Sequence, residues 1–125
     1  MREQKVMAIE ISVQPQLQGN DVECDITGQD VVDDAIRLPK EGTFEIGFNL
    51  DPTGAWSWNE SDPFCARPAK CPPVGSPQHG LLSVTGTPTA KRFTVEARPT
   101  GSARIFHYRL NFANGKTCDP IVIRD

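Results

Sequence analysis

Hydrophobic and polar residues alternate with a period of two along most of the chain, which is the pattern of strands that bury one face. Residues 43–50 give the clearest case, with four apolar side chains on one face and Thr, Glu, Gly and Asn on the other. Pro15 is expected to end the first such run. Similar alternation occurs in residues 7–13, 22–26, 82–84, 93–97 and 106–112.

These short runs, with turn signals between them and no sustained helical stripe, predict an all-β fold. We expect one antiparallel β-sandwich domain over residues 1–125, with about seven or eight strands in an immunoglobulin-like or related Greek-key topology. Residues 30–36 are ambiguous, because their apolar positions fit one turn of helix as well as a strand. At most one short helix is therefore expected, near residues 30–36.

The C-terminal region predicts the register of its own hairpin. The Asn-Gly dipeptide at 114–115 is favoured in two-residue type I′ turns, since both positions need a positive φ. Counting outward from this turn pairs Tyr108 with Ile121 and Phe106 with Ile123. All four side chains are apolar and share one face, so turn chemistry and hydrophobic pattern agree.

The same count has consequences for the last strand. Cys118 falls opposite Asn111, on the face away from the aromatic residues. Pro120 cannot donate to a sheet ladder, so this strand is predicted to lie at a sheet edge or to bulge there. An exposed edge near residues 121–123 would allow a second copy of the chain to pair with it, giving a homo-oligomer.

The segment 59–80 is rich in proline and is predicted to be an irregular loop without a helix or a central strand. Loops of this length in small domains are usually functional or disordered. Trp56 and Trp58 precede it and are predicted to share one face of a short strand, as a stacking platform for a ligand or as part of the core rim.

Four cysteines leave several alternatives open. Cys65 and Cys71 are candidates for a disulfide within the loop, for free thiols, or, together with His79, for a zinc site. The C-x5-C-x7-H spacing is wider than that of common zinc knuckles. Cys24 is predicted to be a small buried hydrophobic residue, and a Cys24–Cys118 bridge would require the two strands to be neighbours.

Charge distribution suggests one further site. The net charge is −3, and residues 80–125 carry 7 basic but only 3 acidic side chains. A basic patch for a small anionic ligand is predicted on the outward face of two neighbouring strands. Its members are Arg92, Arg98, His107 and Arg109. The negative overall charge argues against nonspecific nucleic-acid binding.

The sequence contains no nucleophile elbow, zinc-protease helix, Walker loop or dinucleotide fingerprint. No catalytic residue and no cofactor is therefore predicted. Asp30, Asp33 and Asp34 lack the spacing of a calcium loop and are expected to form a solvated acidic turn. No apolar run is long enough to span a bilayer. We expect a cytoplasmic protein if the chain is complete, and an exported one if a leader has been removed.

One resemblance supports the fold. The final third reads F-x-Y-x-L over residues 106–110, then the glycine turn and Asp-Pro-Ile at 119–121. It resembles the last hairpin of small uncharacterised bacterial β-sandwich proteins. That resemblance implies a β-sandwich of bacterial origin, and it carries no activity that transfers to these residues.

The leading hypothesis for function is a non-enzymatic binding or interaction module whose partner, a protein or a small anionic ligand, is unknown. The expected contacts are Trp56, Trp58, Phe64 and the loop 63–79, because loops on a rigid sandwich commonly carry recognition. A self-assembling structural protein is the alternative. A metal or redox site at Cys65, Cys71 and His79 is the third hypothesis.

Overall fold

The computed structural model describes residues 7–28, 31–32, 35–37, 43–67, 82–98 and 105–124, and these contain ten strands and no helix. The strands are β1 (Met7–Gln18), β2 (Asp21–Gly28), β3 (Val31–Val32), β4 (Ala35–Arg37), β5 (Phe44–Asn49), β6 (Phe64–Arg67), β7 (Leu82–Thr85), β8 (Arg92–Ala97), β9 (Ile105–Asn111) and β10 (Thr117–Arg124).

The strands form two five-stranded sheets, ordered β2-β1-β5-β8-β7 and β3-β4-β10-β9-β6. Most neighbours are antiparallel, but β1 pairs with β5 and β4 with β10 in parallel. The predicted β-sandwich is confirmed, while the immunoglobulin-like topology stays a prediction. In the described part of the chain, no helix is long and apolar enough to cross a membrane.

The interior between the sheets is filled by aromatic rings. Phe48 of β5 stacks on Phe93 of β8 with ring centroids 5.0 Å apart, and it faces Phe64 of β6 at 5.7 Å and Tyr108 of β9 at 5.8 Å. The contacts with Phe64 and Tyr108 cross from one sheet to the other, whereas Phe93 lies on the neighbouring strand of the same sheet. Burial of such large apolar side chains is the main term that stabilises a sandwich of this size.

The described residues of the ambiguous segment, 31–32 and 35–37, form strands rather than a helix. Val31 pairs with Ile36 and Val32 with Ala35 in a short antiparallel pair. Ile36 is fully buried, and its strand β4 continues the second sheet by pairing with β10. Pairing with β10 supplies tertiary contacts that outweigh the local preference for a helical turn.

The register of the C-terminal hairpin is partly confirmed. Tyr108 pairs with Ile121 and Phe106 with Ile123, as predicted. Nearer the turn, however, Cys118 pairs with Leu110, one residue away from the predicted partner.

The difference arises at the turn itself. Phe112 N–H donates to the carbonyl of Lys116 over 2.9 Å, which leaves a three-residue loop at 113–115 in place of the predicted two-residue turn. Gly115 has φ +84°, as the last position of such a loop requires. A bulge between Cys118 and Ile121, where Pro120 lies, restores the predicted register further along the strand.

Predictions about strand positions are confirmed only in part. At Pro120 the predicted bulge is confirmed, whereas the alternative of a sheet edge is wrong. The strand β10 lies between β4 and β9, so residues 121–123 are not at an edge and do not offer the pairing surface predicted for self-assembly. The segment 59–80 is not wholly irregular, because residues 64–67 form β6. Pro63 and Pro68 flank this strand in the sequence. They are tolerated because β6 is an edge strand, paired only with β9 in the described part of the chain.

Replacing Phe48 by alanine tests the aromatic core. We expect Phe48→Ala to lower the free energy of unfolding by about 3–5 kcal/mol, because it leaves a cavity between the sheets. Leu17→Ala is the matched control, since Leu17 is 56% exposed and its loss should change stability by less than about 0.5 kcal/mol. Urea unfolding followed by circular dichroism measures the free energy of unfolding of both variants. Equal losses of stability in Phe48→Ala and Leu17→Ala would contradict this description of the core.

A second substitution tests the turn. Gly115→Ala should destabilise the protein by about 1–2 kcal/mol, because a Cβ is disfavoured at a positive φ. Apart from residues 114–116 themselves, no heavy atom lies within 4 Å of the position that the Cβ would occupy, so the effect should be purely conformational. Thermal unfolding measures the change in stability, and a variant as stable as the wild type would argue against the positive φ at Gly115.

Candidate functional site: the groove beside Trp56

A groove of about 280 Å³ lies between the second half of β1 and the turn that follows β5. Its lining consists of residues 13–16, Leu50, Asp51, Gly54 and Trp56. The floor is apolar and buried, while the two sides carry amide, carboxylate and indole groups. This is the usual composition of a binding site, in which a few polar groups orient a ligand over an apolar surface.

The groove exists because β1 is longer than its neighbour β5. The pairing with β5 ends at Ser12 and Asn49, whereas the pairing with β2 continues to Gln18 and Asp21. From residue 13 onward, no strand of the described chain pairs with the other edge of β1. The prediction that the first strand ends at Pro15 is therefore wrong, and that residue lies within the unpaired edge.

The turn on the opposite side of the groove is held by hydrogen bonds. The Oδ1 atom of Asp51 accepts hydrogen bonds from the backbone N–H of Thr53 at 2.9 Å and from its hydroxyl at 2.8 Å. The backbone bond, followed by the hydroxyl bond, lowers the pKa of Asp51 below its ordinary value. The N–H of Gly54 donates to the carbonyl of Asp51 over 3.1 Å.

Lys91 anchors the same turn from β8's side. Its ammonium group donates to the carbonyl oxygen of Gly54 over 2.9 Å and also to that of Trp56. The lysine thus connects two carbonyl oxygens of the turn, which would otherwise accept hydrogen bonds only from water. It fixes the backbone at the residue that carries the indole.

The indole of Trp56 packs on the aromatic core without entering it. Its ring meets Phe112 edge-on at 4.9 Å, and Phe112 stacks on Trp58 at 5.2 Å. Trp56 is half-buried. One part of the ring is therefore held in place by the core while another part faces the groove.

Trp58 and Phe64 do not have the role that the sequence suggested. Trp58 is 1% exposed and meets Phe93 edge-on at 4.8 Å, and Phe64 is fully buried in β6. The prediction that they contact a partner is corrected, since neither presents a surface. Trp58 forms only an isolated bridge with Phe112, so the two tryptophans do not share the face of a regular strand.

The predicted basic patch is not formed. Arg92 begins β8 and Arg98 directly follows it, at the end of a strand of one sheet, whereas His107 and Arg109 lie on β9 in the other sheet. The inward residues of both strands meet in the core, so their outward residues lie on opposite sides of the sandwich.

Two of these arginines also have carboxylate partners. Arg92 donates to Glu10 over 2.6 Å, and Arg98 forms an ion pair with Glu96. Arg109 instead donates to the side-chain oxygen of Asn111 over 2.8 Å. The Arg92 and Arg98 contacts lie at the surface and the Arg109 contact is with a buried side chain, so the described parts of the two strands form no shared anion site.

The remaining candidates lie largely outside the described residues. Cys65 is a buried thiol on β6, whereas Cys71 and His79 are not described, so their disulfide or zinc site stays a prediction. Asp30, Asp33 and Asp34 of the predicted acidic turn also lie outside the described residues. Within the described ranges, no group of three potential metal ligands comes together.

No protein-family model matches the chain, and no curated protein matches it either. Its function is therefore inferred from the residues and their arrangement. Of the residues predicted to contact a partner, Trp56 alone is both described and placed beside a groove. The sequence did not indicate Pro15, Leu50 or Lys91 as parts of a site, because its alternating pattern stops before Pro15 while β1 continues to Gln18.

Lys91→Met tests the anchoring of the turn. We expect hydrogen exchange at the amides of Thr53 and Gly54 to accelerate by roughly tenfold, because loss of the ammonium releases two carbonyls and lets the turn open more often. Lys116→Met is the matched control, as Lys116 lies in a different turn. Exchange measured by NMR should be unchanged at both amides in the control, and equal rates in all three proteins would refute the anchoring role.

Proposed function

We propose that the protein is a non-enzymatic binding module that holds an extended peptide segment of a partner protein in the groove beside Trp56. The observation that carries this proposal is the unpaired edge of β1 from residue 13 onward, which runs along the groove. An exposed strand edge offers backbone donors and acceptors to a peptide that adds as a further strand.

Side-chain recognition is supplied by the apolar part of the groove. Trp56 and Pro15 are half-buried and flank a floor formed by Val13 and Leu50. The volume of about 280 Å³ suits one or two apolar side chains rather than a large cofactor. In this arrangement backbone pairing contributes affinity, and the fit of a side chain beside the indole contributes specificity.

Preorganisation favours binding at this place. Asp51 and Lys91 already hold the turn that carries Trp56, so little conformational entropy is lost when a ligand contacts the indole. Aromatic residues held on a rigid base are frequent hot spots of protein interfaces.

Pro15 limits what can bind. It has no N–H, so the open edge of β1 lacks a continuous row of donors. A proline in an exposed edge disfavours unlimited strand addition and hence aggregation. A short peptide that makes few backbone bonds and inserts a side chain is therefore favoured over a second copy of the chain.

The other hypotheses receive less support. A small anionic ligand has no common site, because the basic residues lie on opposite faces and two of them are ion-paired. Self-assembly through residues 121–123 conflicts with the interior position of β10. A metal or redox site at Cys65, Cys71 and His79 stays a prediction, which metal analysis of the purified protein would test.

Peptides selected from a random display library against the wild-type protein provide the test. We expect Trp56→Ala to weaken binding of the selected peptides by roughly tenfold or more, because it removes the apolar wall of the groove. Trp56→Phe should retain part of the affinity, since an aromatic face remains. Isothermal titration calorimetry measures the affinity of the selected peptides for the wild type and for the two variants.

Glu45→Ala serves as the matched control, because Glu45 is exposed near the other end of β5. It should bind like the wild type, and near-ultraviolet circular dichroism should show that every variant keeps its fold. Amide shifts on peptide binding should concentrate at residues 13–18. Unchanged affinity in folded Trp56→Ala, or selection that returns no binder for the wild type, would reject the proposal.

A further inference from the structure

Two cysteines that are far apart in the sequence meet across the sandwich. Cys24 lies on β2 between the buried residues Val22 and Ile26, so its side chain points to the interior. Cys118 lies at the start of β10 and is 1% exposed. The strands β2 and β10 belong to different sheets and are in contact with each other.

Their side chains interact directly. The Cys24 thiol shares a hydrogen bond with the Cys118 thiol, and this bond, together with burial, raises the pKa of Cys24 far above its ordinary value. The structure holds both residues as thiols. The one-residue register change at the 113–115 turn is what places Cys118 inside, opposite Leu110, rather than on the outer face.

We propose that Cys24 and Cys118 form a disulfide that links the two sheets when the chain folds in the presence of a disulfide oxidant. One cysteine thiolate attacks a sulfur of the oxidant, forming a mixed disulfide and releasing one oxidant thiolate. The second cysteine thiolate then attacks the mixed disulfide, which forms the intramolecular S–S bond and releases the other. Two electrons pass to the oxidant, and the two cysteine protons pass to water or to the released thiolates.

The folded protein protects the pair in either state. Because the thiolate is the reactive form, a buried thiol with a raised pKa reacts slowly. Oxidation should therefore occur while the chain folds, before the sheets close over the pair. Once formed, the bond is enclosed in the same interior and should resist reduction.

Cys65 does not compete for this pairing. It pairs with Arg109 in the ladder between β6 and β9, whereas the neighbouring pairs Phe64–Leu110 and Ala66–Tyr108 point inward. Its side chain therefore lies on the outer face of the second sheet. A bond from Cys65 to Cys24 or Cys118 would have to pass through that sheet.

The test uses the full-length chain with Cys65→Ala and Cys71→Ala, which retains only Cys24 and Cys118. The protein is unfolded with reductant and refolded with either oxidised glutathione or dithiothreitol. We expect the oxidised sample to lose two titratable thiols and to melt about 10 °C higher, because the bond closes a long loop of the unfolded chain. Reduction after unfolding should remove the difference.

Cys24→Ser in the same background is the control and should show neither the crosslink nor the higher melting temperature. Peptide mapping of the unmodified chain provides a second measurement and should recover Cys24 linked to Cys118. Three results would overturn the proposal: both thiols still titratable after oxidative refolding, a link from either residue to Cys65 or Cys71, or a crosslinked form that is no more stable than the reduced one.

Discussion

The packing of aromatic rings between the two sheets is the constraint on which the rest of the structure depends. Phe48 occupies the centre of this packing and touches rings from three other strands. Since side chains alternate along a strand, fixing Phe48, Phe93 and Tyr108 inside also fixes which residues face outward. Arg92 and His107 are therefore surface residues on opposite sides for the same reason that their neighbours are core residues.

This constraint explains which features could be predicted from the sequence. Alternation indicated the strands and their inward faces, and it gave the correct pairing of Tyr108 with Ile121. It did not give the loop length at Gly115, because an Asn-Gly dipeptide is compatible with a two-residue and a three-residue turn. Only packing in the folded protein distinguishes the two loop lengths. The sequence therefore predicted the wrong face of the sheet for Cys118.

The alternating pattern also does not predict which strands pair when they are not adjacent in the sequence. The basic patch was predicted on the assumption that β8 and β9, which follow each other in the chain, lie side by side. The chain instead crosses to the other sheet between them, and β1 pairs in parallel with β5. Such pairings depend on long-range contacts, for which alternation carries no signal. The candidate site was recovered only at Trp56, since nothing local shows that β1 outlasts β5.

The β1–β2 hairpin connects the proposed binding groove with the proposed crosslink. Pro15, which lines the groove, pairs directly with Cys24 in the ladder between the two strands. Beyond Ser12 the hairpin has lost β5 as a neighbour, and its strand β2 contacts β10 and β3 of the second sheet. A covalent bond at Cys24 would hold the groove wall at a fixed distance from the second sheet. The strand pair that exposes its backbone to a ligand would thereby gain a covalent link to the second sheet, because Cys24 pairs with Pro15 in the ladder and lies on the face of β2 that meets β10.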